Sequence, residues 1–316
     1  FDEKGGKATV HFQAFHDYFH EFSYDLFVQA EDFQCLNTTL VSNEDYYGEA
    51  NLTGDINVGG YAGHTRIELD ASTDKDTKIS IPLAGGGDVS EFDYIRFVDE
   101  NGFRIKHKEQ TLAEEQNGLE LDIRLAVDED AEVQIIFDEK VGDIIKVRGT
   151  GDMLMEIDNR GKFNMYGDYV IGSGDYLFTL QNIVNKKFSV EPDGKIVWNG
   201  EPLNALIDIN AIYKLKASPA LMMAAMTGDT AAYYKNRLPV NVNLYMKGPL
   251  TSPNLDFGVN LPTLSESDNA NQLLNPAIAS KELRTSQAFA LLLTNHFSAG
   301  NGNVALGGSG QTTGFE

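Results

Sequence analysis

A chain of 316 residues with 25 Lys and Arg against 47 Asp and Glu carries a formal charge of −22, and 42% of it is hydrophobic. Such apolar content can offset the entropy of ordering, so the composition excludes a disordered segment, and a single cysteine excludes a disulfide-built fold. The acidic balance repels phosphate backbones and anionic headgroups, which argues against nucleic-acid binding and against docking on a membrane through a basic surface.

In chain order, the first notable feature is the histidine group His11, His16 and His20, with Asp17 and Glu21 beside it. His16 and His20 would share a helical face, but strand-like KATVHFQ precedes and SYDLFVQA follows, so a polar loop is expected and no metal site is assigned. Tyr24, Leu26, Val28 and Ala30 then alternate with polar residues, the signature of a strand with one apolar face. Cys35, next to Leu36, is expected to be a small buried side chain. Ile67, Leu69 and Ala71 repeat the alternation. Gly85-Gly86-Gly87 lacks the Lys-Ser/Thr of a phosphate loop and is expected to be a turn.

The clearest alternation is Leu119, Leu121, Ile123, Leu125 and Val127, followed by Ala131, Val133, Ile135 and Phe137. The acidic groups Asp128 to Asp130 and Asp138-Glu139 sit at strand ends, where charge protects turns and edges. Met153, Met155, Ile157, Phe163 and Met165 form a face of flexible thioethers and an aromatic, a soft lining suited to variable apolar cargo. Gly172-Ser173-Gly174 lacks nucleophile-elbow spacing and is expected to be a turn, like Asp158 to Gly161 and Pro192-Asp193-Gly194. Phe178, Ile196 and Trp198 follow, then Ile207, Ile209, Ala211, Tyr213 and Leu215; Val240, Val242, Leu244 and Met246; and Leu255, Phe257, Val259 and Leu261.

No helix-length periodicity separates these runs before residue 262, so mostly antiparallel pairing and an all-β fold are expected. After Pro262, Ser265 and the spacing of Leu273, Leu274, Leu283, Phe289 and Leu292 predict two short helices split by Pro276. The longest uninterrupted apolar run, Ala220 to Met226, is far shorter than the ~20 residues of a spanning helix. With few helices to cover so many one-sided strands, the sheet must cover itself as a sandwich or barrel, or leave a lining open to an acyl chain.

The run from Arg148 to Tyr213, RGTGDMLMEIDNRGKFNMYGDYVIGSGDYLF onward, with GPLTSPNLDFGVNLP ending at Pro262, resembles the TamB C-terminal domain family. The carrying elements are Gly149 and Gly151, the Gly-Asp-Tyr segments at Gly167 and Gly174, and Gly194 to Trp198 followed by Gly200-Glu201-Pro202. Upstream FQCLNTT and DYYGEANLTGDINVGG are similar to the Bacteroidota-type form. The resemblance implies an elongated curved sheet, a β-taco with an open groove, in relatives of AsmA-like bridge proteins. It implies a periplasmic segment of an inner-membrane-anchored protein reaching the outer membrane of a Gram-negative bacterium. There it would conduct phospholipid between the membranes and support outer-membrane protein assembly with a TamA-like barrel partner or a lipoprotein variant of it. It brings no catalytic residues and no cofactor.

On this expectation residues 1–142 form the N-terminal part of the groove, 143–262 the part bearing the signature, 263–298 a helical segment and 299–316 a glycine-rich, disordered or truncated end of an excised piece. The expected lining is Leu121, Ile123, Leu125, Val133, Ile135, Met153, Met155, Ile157, Phe163, Met165, Phe178, Ile196, Trp198, Ile207, Ile209, Ala211, Val240, Val242, Leu244, Phe257 and Val259. Two other readings stay open. Tyr46-Tyr47, Tyr233-Tyr234 and Trp198 would suit a closed sandwich or solenoid that binds carbohydrate. A sheet edge could instead accept a strand from a client protein.

Overall fold

A computed structural model describes residues 2, 4–18, 20–42, 46–83, 118–138, 142–180, 184–220, 222, 236–265 and 275–299. The alternating runs become strands β1 (Lys7–Asp17), β2 (His20–Thr38), β3 (Tyr47–Tyr61), β4 (His64–Thr73), β5 (Lys78–Pro82), β6 (Gly118–Val127) and β7 (Glu132–Asp138). They continue as β8 (Asp143–Ile157), β9 (Phe163–Leu180), β10 (Val184–Val190), β11 (Lys195–Gly200), β12 (Leu206–Ala217), β13 (Leu238–Pro249) and β14 (Asn254–Asn260). Helix α1 (Lys281–Thr294) follows helical residues at 275–277. The chain is all-β with short helices near its C-terminus, and its strands join one mixed 14-stranded sheet.

The main path is β1-β2-β3-β4-β6-β8-β9-β10-β12-β13-β14; β5 pairs with β3 and β7, β7 also with β8, and β11 bridges β9 and β12. Contacts divide the chain into two compact units: Phe1–Leu177 with Val190–Ile209 and Lys247–Pro253, and Phe178–Ser189 with Asn210–Met246 and Asn254–Glu316.

Two pairings depart from the expected antiparallel order. β4 runs parallel to β6 and β5 parallel to β7. The two pairings are one parallel joint in two pieces. β4 and β5 are two arms of one extended path interrupted at residues 74–77, and β6 and β7 are two arms interrupted at 128–131. β3 spans both arms on one side, pairing with β4 through Leu52 to Tyr61 and with β5 through Tyr47 to Glu49; β8 does the same for β6 and β7 on the other.

Buried polar side chains stitch the interruption. Asn51 Nδ2 donates to the Lys75 carbonyl at 3.0 Å, the Asn51 N–H donates to Thr77 Oγ1 at 3.1 Å, and Thr73 Oγ1 accepts from the Asp128 N–H at 2.8 Å. Asn51, Thr73 and Thr77 are all buried, so each needs such partners. The same line crosses β2 at Asp32, whose N–H donates to Thr53 Oγ1 at 2.9 Å. On β9 it crosses at Gly172, which stands unpaired between Ile171 (opposite Gly149) and Ser173 (opposite Arg148). Bulges of this kind bend a strand and increase its local twist.

Three local expectations are corrected. Gly172 to Asp175 is not a turn: β9 runs through it, and one extra glycine is absorbed as a bulge. The histidine group is not a loop, because Val10, Phe12 and Ala14 alternate strongly enough to pair with β2; His11 and His16 lie on β1, and His20 opens β2. His11 stacks on Phe27 with centroids 6.4 Å apart. Cys35 is exposed rather than buried, because it is the extra residue of a second bulge on β2, between Gln34 (opposite Asn51) and Leu36 (opposite Ala50). Gly85-Gly86-Gly87 lies outside the described residues.

The second unit carries its own core. Phe178 meets Phe188 edge-on at 5.9 Å and Phe257 at 6.1 Å, and Phe257 meets Phe289 of α1 at 5.2 Å. Ser280 caps α1, its hydroxyl accepting from the Leu283 N–H at 3.3 Å, and Asn295 closes the helix in the left-handed region. Arg284 reaches the Phe257 carbonyl and the Asp256 carboxylate, both at 3.2 Å, fastening the helix to β14.

Candidate functional site

Strand register in the first unit places apolar side chains in continuous rows. Val10 pairs with Val28, Val28 with Ile56, Ile56 with Leu69, Leu69 with Ile123, Ile123 with Met155 and Met155 with Met165. The row toward one side runs Phe12, Leu26, Val58, Ile67, Leu121, Ile157, Phe163. On the other side run Ala8, Ala30, Gly54, Ala71, Leu125, Met153 and Gly167, and Gly167 pairs with Trp198 of β11. Because side chains alternate across a strand, all of these lie on one face.

In a packed sandwich such rows would be buried, yet here the central ones are not. Val28, Ile56, Leu69, Ile123, Met155 and Met165 are half-buried, and at the β1 edge Val10 is 56% and Phe12 63% exposed. Partly exposed apolar rows that run across several strands are a candidate interaction surface. Exposure falls along β8: Ile157 and Met155 are half-buried, Met153 is buried, and Val147 and Ile145 are fully buried. The face is thus open at one end of its strands and covered at the other.

Beyond the Phe12 row the open end finishes in an aromatic rim. Phe22, Tyr24, Tyr61, His64 and Leu119 line a hollow of about 530 Å³, where the Tyr24 and Thr65 hydroxyls are hydrogen-bonded at 2.6 Å. The opposite face is polar. Arg66 pairs with Asp122 at 2.8 Å and Glu68 at 2.9 Å, and Arg124 lies 3.9 Å from Asp70. These pairs are exposed, and such pairs add little stability; they make the outer face hydrophilic.

The expected lining residues separate into groups. Leu121, Ile123, Leu125, Met155, Ile157, Phe163 and Met165 belong to the rows and are half-buried; Met153 and Trp198 lie in the same rows but are buried. Ile135, Ile196, Ile207 and Ile209 are buried within the first unit, while Val133 beside Ile135 is half-buried. Phe178, Ala211, Val240, Val242, Leu244, Phe257 and Val259 are buried core of the second unit. Residues that belong to the rows but were not expected there are Val10, Phe12, Ile56 and Val58, together with Leu26, Val28, Ile67 and Leu69, whose alternation is evident in the sequence. The signal for Ile56 and Val58 is the short alternation in DINVGG, broken early by glycines.

Trp198 is buried and its indole N–H donates to the Pro202 carbonyl at 3.1 Å, so its ring offers no platform for a sugar. Tyr46 is exposed and Tyr47 half-buried, while Tyr233 and Tyr234 lie outside the described residues. Among the described residues, no group of three or more His, Cys, Asp or Glu side chains is gathered closely enough to hold a metal ion.

A family model of the TamB C-terminal domain matches residues 1–315. The chain belongs to the TamB C-terminal domain family. TamB proteins are transport and assembly modules of the Gram-negative envelope that work with TamA, in a role that is not enzymatic. No curated protein matches this TamB domain significantly. Among its described residues no helix is long and apolar enough to cross a membrane.

Proposed function

We propose that the open apolar rows of this TamB domain hold the acyl chains of phospholipid as it passes through the periplasm between the inner and outer membranes. The observation that carries this reading is the row from Val10 to Met165, continuous over seven strands and only half-buried through its centre. An alkyl chain laid on such a face gains about 0.8 kcal/mol for each methylene removed from water. No step of the row offers a charged group to hold a headgroup, so the lipid is free to slide along it, with its phosphate left in water. A TamA-like barrel protein, or a lipoprotein variant of it, would receive the cargo, and the same module would support outer-membrane protein assembly.

Site-specific photocrosslinking tests the reading. A photoreactive residue at Ile56, Leu69 or Ile123 should capture phospholipid in cells, whereas one at Asp55, Asp70 or Arg124, the adjacent positions on the polar face, should not. Equal capture from both faces, or none from either, would reject it.

A further inference from the structure

Immediately inside the Met153–Gly167–Trp198 row lies the row formed by Gly151, Tyr169, Ile196 and Ile207. Tyr169 is 2% exposed, and its hydroxyl has no hydrogen-bond partner among the described residues. A second buried tyrosine on the same face shows the usual solution: Tyr176 hydrogen-bonds Asp143. An unpartnered buried hydroxyl is unfavourable unless something supplies an acceptor. Its cross-strand partner is Gly151 and its same-face neighbour toward the open rows is Gly167, over which only the flexible Met153 thioether is packed.

The acceptor that fits is narrowly defined. Its row neighbours are Ile196 and Ile207, and Arg148, whose charge reaches the hydroxyl, is already paired with Glu132 at 3.4 Å, so a charged acceptor would lose its hydration without gaining a partner. A phosphate or a free carboxylate is thereby disfavoured. A carbonyl oxygen flanked by hydrocarbon meets both demands, and a diacyl glycerolipid carries such carbonyls where its acyl chains begin.

We propose that Tyr169 donates a hydrogen bond to an ester carbonyl of a diacyl glycerolipid whose chains lie on the rows. The tyrosine thereby sets a resting position at the covered end of an otherwise featureless slide. This assignment rests on the lipid reading above and adds to it the ester group as the feature recognised.

The test compares retention of dipalmitoyl phosphatidylethanolamine with that of its dihexadecyl ether analogue, which has the same chains and headgroup but no carbonyls, on the purified chain and on Tyr169→Phe. The chain should prefer the diester by about tenfold, the value of one hydrogen bond in a dry site, and Tyr169→Phe should abolish the preference by weakening only the diester. Tyr176→Phe, which removes a hydroxyl already bonded to Asp143, should keep the preference. Equal retention of diester and diether by the unaltered chain, or equal losses of both in Tyr169→Phe, would overturn the hydrogen bond while leaving lipid carriage intact. Palmitate held more tightly than the diester, and lost equally in Tyr169→Phe, would overturn the assignment to a glycerolipid. Retention of neither lipid by the unaltered chain would overturn the lipid reading itself, and this inference with it. The thermal midpoint of Tyr169→Phe should match or exceed that of the parent, since the ring stays and an unpartnered hydroxyl leaves.

Discussion

Ile171 and Tyr176 are an odd number of residues apart on one strand, yet both face the apolar side, opposite Gly149 and Ile145 respectively. Gly172 makes this possible by standing out of the ladder, so that odd residues face inward before it and even residues after it. Deleting Gly172 should restore strict alternation and drive Tyr176 and Phe178, both buried, onto the polar face. The expected loss is at least ~4 kcal/mol, since expelling one large aromatic already costs 3–5 kcal/mol. Gly172→Ala should change stability by less than about 1 kcal/mol, because a Cβ there would have the Arg148 carbonyl oxygen as its nearest neighbour at 3.6 Å. Urea unfolding of the two variants separates a requirement for an extra residue from a requirement for glycine.

A charge placed on the open rows should behave differently from one placed in the core. Ile123 is only half-buried, so Ile123→Asp should fold and lose photocrosslinked lipid at neighbouring positions. Val242 is fully buried, and Val242→Asp should fail to fold, at a cost above ~4 kcal/mol for an unpaired buried carboxylate. Circular dichroism and lipid capture, measured on both, check the contrast; normal lipid capture in a folded Ile123→Asp protein would remove these rows from the path.

Glu132 joins β5, β7 and β8 at the strand interruption. Burial opposes its charge, but the Gln134 amide, Arg148 at 3.4 Å and Lys78 at 3.8 Å outweigh that, and its carboxyl is held below the ordinary glutamate value. A carboxyl depressed in the folded state contributes stability above its unfolded pKa and loses it as pH falls through the folded one. Glu132→Gln should therefore cost about 1 kcal/mol at pH 7 and less at about pH 3, since the cost shrinks as pH falls toward the lowered pKa of the folded carboxyl. Paired urea titrations at the two pH values measure the difference.

In the second unit, Phe289→Ala should cost about 3 kcal/mol, because its ring closes the aromatic chain through Phe257 and Phe178. Ser280→Ala, which removes only the helix cap, should cost about 1 kcal/mol. Denaturant unfolding followed by far-UV circular dichroism ranks the two.

Strands such as β6, β8 and β12 are legible in the sequence because an unbroken period of two leaves them one way to lie. β9 is only partly legible: Phe163 and Phe178 have opposite parity, and only the bulge at Gly172 reconciles them. Cys35 misleads for the same reason, since a residue outside the ladder escapes the burial its neighbours suggest. The apolar character of Leu26, Val28, Ile67 and Leu69 is plain, but whether those faces are covered is decided by segments distant in the chain. Alternation therefore cannot distinguish Ile123, which stays half-buried, from Val242, which is fully buried. The parallel joints β4–β6 and β5–β7 escape for a related reason, because no local pattern announces a neighbour that the chain reaches only after it has left β5.

Those parallel joints also shape how the domain is built. β1 to β4 form a meander in which each strand meets its predecessor, and β6 to β9 pair largely with near neighbours in sequence, so both blocks gain contacts early. Joining them requires closing the long connection from Pro82 to Gly118 before β4 and β6 reward it with any ladder bond. Assembly should therefore end at this seam, and amide hydrogens of β4 that bond to β6 should acquire protection later in refolding than those that bond β3.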